Sequence, residues 1–394
     1  MLFRKDNSSH GHDPETPDGT LVAGPPEAET GSVLTVDCAA IVRNWKKLSN
    51  HAAPAECAAV VKADAYGCGL EPVTQALHAA GCQTFFVAHI AEARQLRDAL
   101  ADVTIYVANG IPAGEAHVFA EINAEPVIGN LAELAEWDAF RAGSTWEGGA
   151  ALHFDTGMNR LGLDINEAAA IAERTKVQNH GISLVMSHFA ASDEPGHPFN
   201  AYQVQALRDI RQLFPHIPAS LANSSGIFLG ASAHFDIVRP GIALYGGNPT
   251  PWTDNPMEPA VELKARIVQT RTIPDGATVG YNTTWTARRP TRVAIATTGY
   301  ADGYPRPAGT SDTLTGGFAM VGGQRCPVIG RVSMDLLAID VTDVPDQTNG
   351  KRRGDVVTLL GDGITIDDLA GWGRTISWDI LTRLGKRCHR VWKN

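Results

Sequence analysis

Short runs of β-type residues alternate with helix-type stretches from Leu34 to about Pro256, and this alternation constrains the fold more than any other feature. The runs are rich in Val, Ile, Phe or Leu, as parallel strands are when helices cover both faces of their sheet. A doubly wound open sheet shows the same alternation. The count of eight runs and the absence of a glycine-rich dinucleotide loop favour a (β/α)8 TIM-like barrel. The predicted strands span residues 58–62, 84–88, 103–108, 125–128, 151–155, 182–188, 219–222 and 236–238.

After Pro256 the pattern changes to strand-like segments separated by Gly and Pro turns, with little helix between them. This pattern predicts a second, mostly β domain. We therefore predict a barrel over residues 32–257 and a C-terminal β domain over residues 258–394.

The first residues, 1–31, are polar and have almost no apolar periodicity. Such a segment buries too little surface to offset its ordering entropy, so we predict a disordered tail. It also lacks the apolar core of a signal peptide. His10 and His12 offer weak metal binding as an alternative, but a solvated tail is favoured.

Charge and composition exclude several functional classes. The 394 residues carry a formal net charge of −10, which argues against a nucleic-acid partner because no basic surface is available for the phosphates. No apolar run approaches the roughly 18 residues of a membrane span. The six cysteines are scattered without a CxxC pair, which indicates a cytoplasmic protein. The sequence has no HExxH, cysteine cluster or Walker-type loop, so we expect no metal.

Polar residues lie at the predicted carboxyl ends of the barrel strands, where barrel enzymes hold their active sites. A structural protein has no reason to gather such a set at one rim. The residues are Lys62, Asn109, Asp155, His188, Asn223, Ser224 and Arg239.

Lys62 ends an apolar strand and precedes a Tyr-Gly-x-Gly turn. Partial desolvation disfavours the ammonium form, which makes such a lysine a usable amine for covalent catalysis. The alternative is a rim lysine paired with a carboxylate such as Asp64. For a lysine considered alone, that alternative is the better interpretation.

The context reverses this preference, because the segment VVKADAYGCG at 60–69 resembles the cofactor-lysine signature of the alanine racemases. The resemblance covers about residues 33 to 392. Further motifs agree in order: DTGMNRLGL at 155–163, MSHFA at 186–190, LANSSGI at 221–227, DIVRPGIALYG at 236–246, TVGYNTTWTA at 278–287, GYADGYPR at 299–306 and GRVSMD at 330–335.

The resemblance implies that Lys62 holds pyridoxal phosphate (PLP) covalently and acts as a base on one face of the substrate. Tyr281 matches the family's second base, which reaches the site from a partner subunit. In the family the lysine acts on D-alanine and the tyrosine on L-alanine. A tyrosine with a pKa of about 10 needs neighbouring cations to ionise at neutral pH. His188 and Arg239 match the residues that provide this help.

Arg239 also matches the residue that faces the pyridine nitrogen of PLP. An arginine keeps its protons, so it donates to that nitrogen without protonating it, which suits racemisation and discourages transamination. The alternative is a salt-bridged surface arginine, which fits poorly with its place before Pro240 and Gly241 at a strand end.

The resemblance implies that the phosphate is held by Ser224, by Tyr66 and by backbone amides near Asn223, Gly241 and Ile242. Amides at loop–helix junctions favour anions. Taken alone, Asn223 and Ser224 more often form an ordinary helix N-cap.

Other matches concern the substrate. Arg160 matches an arginine that contacts the substrate carboxylate, and the main chain of Met334 matches a contact to the same group from the other subunit. Tyr300 and Arg331 match residues that line the entrance corridor.

Three positions depart from the family's pattern. His153 replaces a lysine, often carbamylated, whose negative charge orients the substrate arginine; a chloride or a nearby carboxylate would have to take its place. Trp378 replaces a tyrosine that meets the phosphate, and an indole N–H is only a donor. Cys68 replaces a histidine, and we assign it no catalytic role.

The rival functions are a racemase of other specificity, such as for serine, a PLP-dependent decarboxylase and a non-enzymatic PLP-binding barrel. Arg239 and the Tyr281 motif argue against the decarboxylase, and the β domain argues against the binding barrel. The resemblance also implies a homodimer with shared sites. Its product would be D-alanine for peptidoglycan, or the same reaction would serve alanine catabolism.

Overall fold

The computed structural model describes residues 20–178, 181–346 and 352–394. The strands, in chain order, are β1 (Leu21–Ala23), β2 (Ser32–Asp37), β3 (Glu56–Cys57), β4 (Ala59–Val60), β5 (Thr84–Val87), β6 (Thr104–Val107), β7 (Glu125–Ile128), β8 (Ala150–Asp155), β9 (Leu163–Asp164), β10 (Ile182–Met186), β11 (Ala219–Ser220), β12 (Ile237–Val238), β13 (Val261–Ile273), β14 (Thr278–Val279), β15 (Trp285–Thr286), β16 (Thr291–Ala296), β17 (Phe318–Val321), β18 (Gln324–Ile329), β19 (Leu337–Asp340), β20 (Val356–Leu360) and β21 (His389–Lys393). The helices are α1 (Cys38–Ala52), α2 (Lys62–Tyr66), α3 (Leu70–Ala79), α4 (Ile90–Ala99), α5 (Ala116–Glu121), α6 (Leu131–Gly143), α7 (Ala168–Gln178), α8 (Pro198–Leu213), α9 (Ile366–Gly373) and α10 (Ser377–Arg383).

Contacts divide the chain into two compact units. The barrel unit comprises Ala39–Ala260 and Ile376–Thr382. The β unit comprises the described residues up to Cys38 and those of Val261–Thr375 and Arg383–Asn394. Among the described residues, no helix is long and apolar enough to cross a membrane.

The barrel unit is a closed ring of parallel strands. Its strands pair in the order β4-β5-β6-β7-β8-β10-β11, and β12 pairs in parallel with β3, which directly precedes β4. The N–H of Ala58 donates to Val238, and the N–H of Arg239 donates to Ala222, so backbone bonds continue across the seam from β11 through β12 to β3.

The centre of the ring is apolar. Its side chains come from nearly every strand, and their burial on all sides explains the continuous apolar runs in the sequence. The central cluster consists of Ala58, Phe86, Tyr106, Val127, Ala151, Leu184, Met186 and Ile237.

The barrel helices carry ordinary helix signals. In α8 the buried residues Asn200, Gln203, Leu207 and Ile210 recur at intervals of three or four, which places them on one face. His197 caps the helix by accepting a hydrogen bond from the N–H of Phe199, and proline is tolerated in the first turn because its missing donor is not needed there.

The β unit is organised around the long strand β13, which pairs antiparallel with β2, β16 and β20. Pairing runs from β13 through β16, β19, β18, β17 and β20 and returns to β13. This closure leaves those six strands without a free edge. The predicted fold class, a (β/α)8 barrel followed by a mostly β domain, is confirmed.

The predicted domain limits need correction. Leu21–Ala23 of the expected tail is β1, which pairs antiparallel with β21, so that part of the tail prediction is wrong. Three residues are too short a run to show periodicity. Residues 1–19, with His10 and His12, lie outside the described residues.

The chain also passes between the units more often than predicted. Strand β2, expected in the barrel, joins the sheet of the β unit, whereas Ile376–Thr382, expected in the β domain, belongs to the barrel unit. The sequence pattern gives element types but not these long-range pairings.

Candidate active site

The barrel unit brings most of the predicted residues to the carboxyl ends of its strands. Lys62 follows β4, Asp155 ends β8 and His188 follows β10. Ser224 follows β11, and Arg239 directly follows β12. Parallel strands end at the same rim, so these residues share the region in which barrel enzymes hold their chemistry.

The turn after Lys62 is strained. Ala63, Asp64, Ala65 and Tyr66 all have φ between 51° and 57°, so the short α2 is a left-handed turn. Left-handed helical backbone costs L-residues about 1–2 kcal/mol each. Such strain persists only where surrounding structure imposes it, and it clusters at functional sites.

Glu92 is part of that surrounding structure. Its carboxylate accepts hydrogen bonds from the N–H of Ala63 (2.6 Å), from Ala88 (2.7 Å) and from His89 (3.1 Å). One side chain thus fixes the start of the strained turn to the start of α4.

The Lys62 ammonium has a lowered pKa, first because of partial burial and then because of the positive charge of Arg160; the charge of Glu92 opposes this shift. The alternative pairing with Asp64 does not occur. Instead, the Asp64 carboxylate accepts a hydrogen bond from the N–H of Leu70 (2.8 Å) at the start of α3. Lys62 therefore holds its proton less tightly than an exposed lysine does.

Arg239 is buried, with 4% of its surface exposed, so the surface-arginine alternative is wrong. One terminal nitrogen donates to the hydroxyl of Ser220, and the other donates to the carbonyl of Ser187 (2.7 Å). Burial lowers the pKa of Arg239 to about 9, so the guanidinium stays charged at neutral pH.

His188 lies beside Arg239, with 3.4 Å between His188 Nδ1 and the guanidinium. Because an arginine only donates, Nδ1 has to accept, which requires a neutral imidazole carrying its proton on Nε2. Burial, followed by the charges of Arg239 and Arg160, holds the pKa of His188 well below its usual range. The weaker effects of His153 and Lys62 on the same ring show that these groups share one electrostatic environment.

His153 is also buried and neutral. Burial and the charge of Arg239 lower its pKa to about 4. A neutral imidazole does not supply the negative charge that the family's usual residue provides here. No carboxylate among the described residues lies within ion-pair distance of Arg160, and the bound-anion and carboxylate alternatives both stay predictions.

A cradle of donors lies where the phosphate was predicted. The buried hydroxyl of Ser224 accepts from the N–H of Gly241 (2.9 Å) and from that of Ala243 (3.3 Å). A Cβ on Gly241 would lie 2.3 Å from the hydroxyl of Tyr66, so only glycine fits between them. Tyr66 is held by stacking on Tyr245 at 4.8 Å.

Asn223 has a local structural role as well. Its side-chain oxygen accepts from the N–H of Gly226 (2.9 Å) and from the hydroxyl of Ser192 (2.8 Å). The N-cap of the following helical turn is Ser225, so the N-cap alternative for Asn223 and Ser224 is wrong. Ile242 begins the short turn Ile242–Tyr245, which directly follows Gly241.

Trp378 lies on α10 in the barrel unit and is 38% exposed. Its helix packs against the turn that follows Lys62, because a Cβ on Gly67 would lie 2.5 Å from the carbonyl oxygen of Leu381. A cofactor contact by Trp378 itself stays a prediction.

The predicted residues of the β unit gather on three neighbouring loops. A Cβ on Gly280 would lie 2.9 Å from the nitrogen of Arg331, and the N–H of Tyr300 donates to Ser333 (3.1 Å). The N–H of Ala301 donates to Met334 (3.0 Å). Tyr281 is 65% exposed and Met334 is 53% exposed. The three motifs therefore form one surface of the β unit, which we call the motif-loop surface (residues 280–283, 299–303 and 330–336).

Four supporting residues are not predicted from the sequence. They are Glu92, which fixes the strained turn, Tyr245, which stacks on Tyr66, and the pair Ser187 and Ser220, which hold Arg239. Tyr245 lies inside the quoted DIVRPGIALYG motif, and Ser187 inside MSHFA. Nothing local distinguishes Glu92 from any residue that caps a helix.

Comparison with known proteins gives a consistent result. The family model "Alanine racemase, N-terminal domain" matches residues 36–249, and "Alanine racemase, C-terminal domain" matches residues 260–392. A relative named "Alanine racemase" from Methylobacterium nodulans is 49% identical over 360 residues, which cover 91% of this chain and 95% of that protein.

Two relatives come from Agrobacterium fabrum. One is named "Alanine racemase, catabolic" (43% identical, 91% of each chain), and the other "Alanine racemase, biosynthetic" (41% identical, 91% of this chain and 92% of that one). The crystal structure of alanine racemase from Bartonella henselae, with covalently bound pyridoxal phosphate, matches with a TM-score of 0.85 at 36% identity. The match covers 92% of this chain and 99% of that one.

Proposed function

The chain belongs to the alanine racemase family, whose reaction interconverts L-alanine and D-alanine, and we propose that Lys62 and Tyr281 are the two bases of that reaction. The observation that carries the assignment is the position of Lys62 on a strained turn at the strand ends, in one electrostatic environment with Arg239 and Arg160.

Pyridoxal phosphate is the family's cofactor, and the rim of the barrel fits it. The group requires an amine, a donor for its ring nitrogen and a site for its phosphate. Lys62 provides the amine. The Nε–H of Arg239 has no partner among the described residues and provides the donor. The hydroxyls of Ser224 and Tyr66 provide the anion site, which is flanked by Asn223, Ile242 and the amide of Gly241 that donates to Ser224.

When bound, PLP supplies an aldehyde for covalent attachment and a conjugated ring that acidifies the Cα–H bond of the amino acid. Racemisation then needs one group to remove the Cα proton and another to deliver a proton to the opposite face. Lys62 serves one face, and partial burial and the charge of Arg160, which lower its pKa, favour release of its proton. Tyr281 serves the other face from a partner subunit.

Arg239 sets the character of the site. It keeps its charge at neutral pH, and its bonds to Ser220 and Ser187 hold it in place. It donates to the pyridine nitrogen without transferring a proton, which favours return of the Cα proton over transamination. Neutral His188 accepts from Arg239 and links it to the second base.

The substrate carboxylate is an anion and needs positive partners. Arg160 lies exposed at the end of the loop after β8, and the Asp155 carboxylate fixes that loop by accepting from the N–H of Gly157 (2.8 Å) and of Asn159 (3.1 Å). Arg160 binds the carboxylate, and the N–H of Met334 from the partner subunit completes the site.

The proposed active form is a homodimer. The motif-loop surface supports this proposal, because Tyr281 and Met334 are more than half exposed and Tyr300 is 40% exposed. Exposed apolar and aromatic patches are typical of protein interfaces. A partner subunit would cover the patch and place Tyr281 in a site of the opposite chain.

The proposed compartment is the cytoplasm, which is supported by six free and buried cysteines. We propose no nucleic-acid or membrane partner. The D-alanine would serve peptidoglycan synthesis, or the reaction would serve alanine catabolism; the A. fabrum relatives of both kinds are about equally similar.

The test is to incubate the PLP-loaded protein with L-alanine in D2O, following D-alanine by chiral chromatography and Cα deuteration by NMR. We expect D-alanine carrying deuterium at Cα. The Lys62→Ala variant should lose the covalent PLP absorbance and at least about 10³-fold in rate, whereas Lys46→Ala, at an exposed lysine of α1, should keep both.

Each failure has its own meaning. No Cα exchange from L-alanine would contradict the role of Tyr281; exchange without inversion, or full activity in Lys62→Ala, would contradict that of Lys62. If L-serine reacts and L-alanine does not, the substrate assignment is wrong.

A further inference from the structure

Gln203 is a fully buried polar side chain that the proposed mechanism does not use. It lies on α8 with none of its surface exposed, on the same face as the apolar Leu207 and Ile210. Burying a side-chain amide costs free energy unless its hydrogen bonds are made inside the protein. An apolar residue would fill this position without that requirement, so a role beyond packing depends on the partners of the amide.

The partners of this amide are polar, and together they fix its orientation. The side-chain oxygen accepts a hydrogen bond from the N–H of Ala190 (2.9 Å). The side-chain nitrogen donates to the carbonyl of His188 (2.9 Å) and to the hydroxyl of Thr156 (2.9 Å). A backbone N–H can only donate and a carbonyl can only accept, so the amide fits in this orientation alone. Both donors and the oxygen of Gln203 are therefore in use.

The partners belong to two segments of the proposed active site. His188 and Ala190 lie in the segment after β10. Thr156 directly follows β8 and begins the loop that contains Arg160. The Thr156 hydroxyl also forms a hydrogen bond with the hydroxyl of Ser187 (2.7 Å). One side chain of α8 thus connects the carboxyl ends of two neighbouring barrel strands.

This connection holds a contact that is long for a hydrogen bond. His188 Nδ1 lies 3.4 Å from a guanidinium nitrogen of Arg239, and the same nitrogen donates to the carbonyl of Ser187 (2.7 Å). A donor–acceptor distance of about 3.6 Å is no longer a hydrogen bond, so a backbone shift of a few tenths of an ångström would break this contact. Gln203 holds the backbone at two points, one on each side of Phe189.

We propose that Gln203 is a positioning residue for racemisation, because it holds the backbone of His188 at a fixed distance from the loop of Arg160. This inference rests on the proposed function, in which His188 links Arg239 to the second base and Arg160 binds the substrate carboxylate. The role requires two donors, towards Thr156 and His188. A neutral amide provides both, whereas a carboxylate of the same shape would place a negative oxygen against the carbonyl of His188.

The first test is Gln203→Glu, which keeps the size of the side chain and changes its donors. Burial raises the pKa of a carboxyl group, so the introduced group is neutral at low pH, with one donor, and has none at higher pH. We expect kcat/KM for L-alanine to fall at least about tenfold as pH rises through this pKa. The unsubstituted protein should lack this descending limb. The matched control is Gln205→Glu, on the exposed face of the same helix, which should lack it as well.

The second readout is the ring of His188, which is observed without turnover. In the PLP-loaded protein labelled with 15N-histidine, the His188 signals are identified by their loss in His188→Gln. They should show a neutral ring with its proton on Nε2. Gln203→Glu should shift these signals over the same pH range as the fall in rate, because the ring then loses its contact with Arg239. Gln205→Glu should leave them unchanged.

A further variant, Gln203→Met, serves if Gln203→Glu does not fold. Methionine has a similar length and is readily buried, but it offers neither donor. It should lower kcat/KM at least about tenfold at every pH, without a new descending limb. A role in packing alone would leave the rate of this variant close to that of the unsubstituted protein.

Three results would overturn the proposal: coinciding His188 signals in Gln203→Glu and Gln205→Glu, no descending limb in an active Gln203→Glu, or an undiminished rate in Gln203→Met. Failure of the proposed function looks different, since the unsubstituted protein would then not racemise alanine. The NMR comparison would still decide whether Gln203 positions His188.

Discussion

The rim of the barrel and the motif-loop surface carry the two halves of one proposed reaction, but they are built in opposite ways. At the rim, Arg239 and Ser224 are about 95% buried and are hydrogen-bonded to their neighbours. On the motif-loop surface, Tyr281 and Met334 face solvent, whereas the loop backbones are hydrogen-bonded and Asp302 is buried beneath them.

This difference shows what orders the side chains in each of the two regions. The rim is pre-organised by burial and hydrogen bonds within its own unit. Burial and the charge of Arg239 lower the pKa of His188 and keep it neutral. The motif-loop surface has a fixed backbone, but Tyr281 and Met334 are exposed, so their proposed chemistry depends on a partner surface that covers them. Pre-organised groups lose little freedom when they act, whereas exposed ones are ordered only on association.

The largest expected effect tests this comparison directly. Tyr281→Phe removes one hydroxyl, and we expect kcat to fall about 10²–10⁴-fold because a positioned acid or base contributes that much. Deuterium exchange at Cα should fall more for L-alanine than for D-alanine, since Lys62 still serves the D-enantiomer. NMR of each enantiomer in D2O measures both rates.

The matched control is Tyr202→Phe, at a tyrosine of the barrel unit that is 50% exposed. It should leave both rates unchanged. If Tyr281→Phe leaves both rates unchanged, as Tyr202→Phe should, Tyr281 on the motif-loop surface has no catalytic role.

The two regions also differ in how well the sequence predicts them. The buried strands of the barrel are predicted to within about two residues, because burial on both faces leaves continuous apolar runs. The left-handed turn after Lys62 is not predictable, because Ala63, Asp64 and Ala65 give no signal for that conformation; it depends on long-range bonds such as that from Glu92. Strand β1 is missed for the same reason, since only its pairing with β21 defines it.

The next prediction concerns the buried interior of the rim. His153 has a folded-state pKa of about 4 and an ordinary value of 6.5, so the unfolded state binds more protons between these values. Stability is therefore present above pH 6.5 and is lost as pH falls towards 4, by about 3 kcal/mol from this one group. Urea unfolding of the PLP-loaded protein at pH 7 and pH 4.5 measures the loss, and His153→Gln should reduce it. An equal loss of stability in His153→Gln would mean that His153 is not desolvated at the rim and does not cause the pH dependence.

A smaller effect is expected at Trp378, which is exposed although it belongs to the barrel unit. Trp378→Tyr restores a hydroxyl that both donates and accepts, and we expect PLP to bind up to about tenfold more tightly. Equilibrium dialysis measures the affinity. Trp252→Tyr is the control, since Trp252 is also 38% exposed and lies in the same unit. Unchanged or weaker binding in Trp378→Tyr would remove this residue from the site.

The smallest effect is expected at the start of β7, where Glu125 accepts a hydrogen bond from Ser183 and burial raises its pKa above the ordinary 4.5. The sign is opposite to that of His153: the folded state holds this proton more tightly, so the contribution to stability is present below pH 4.5 and is lost as pH rises through the raised pKa.

Glu125→Gln removes this opposing pH dependence. We expect stability at pH 7 to change by less than about 1 kcal/mol, because the lost charge and the lost burial penalty nearly cancel, and racemisation to be unchanged. The loss of stability between pH 6.5 and pH 4.5 should become steeper than in the unsubstituted protein. The destabilising protonation of His153 is then no longer offset by the stabilising protonation of Glu125. If the pH dependence of stability is unchanged in Glu125→Gln, burial does not raise the pKa of Glu125, and the desolvated interior is confined to the rim.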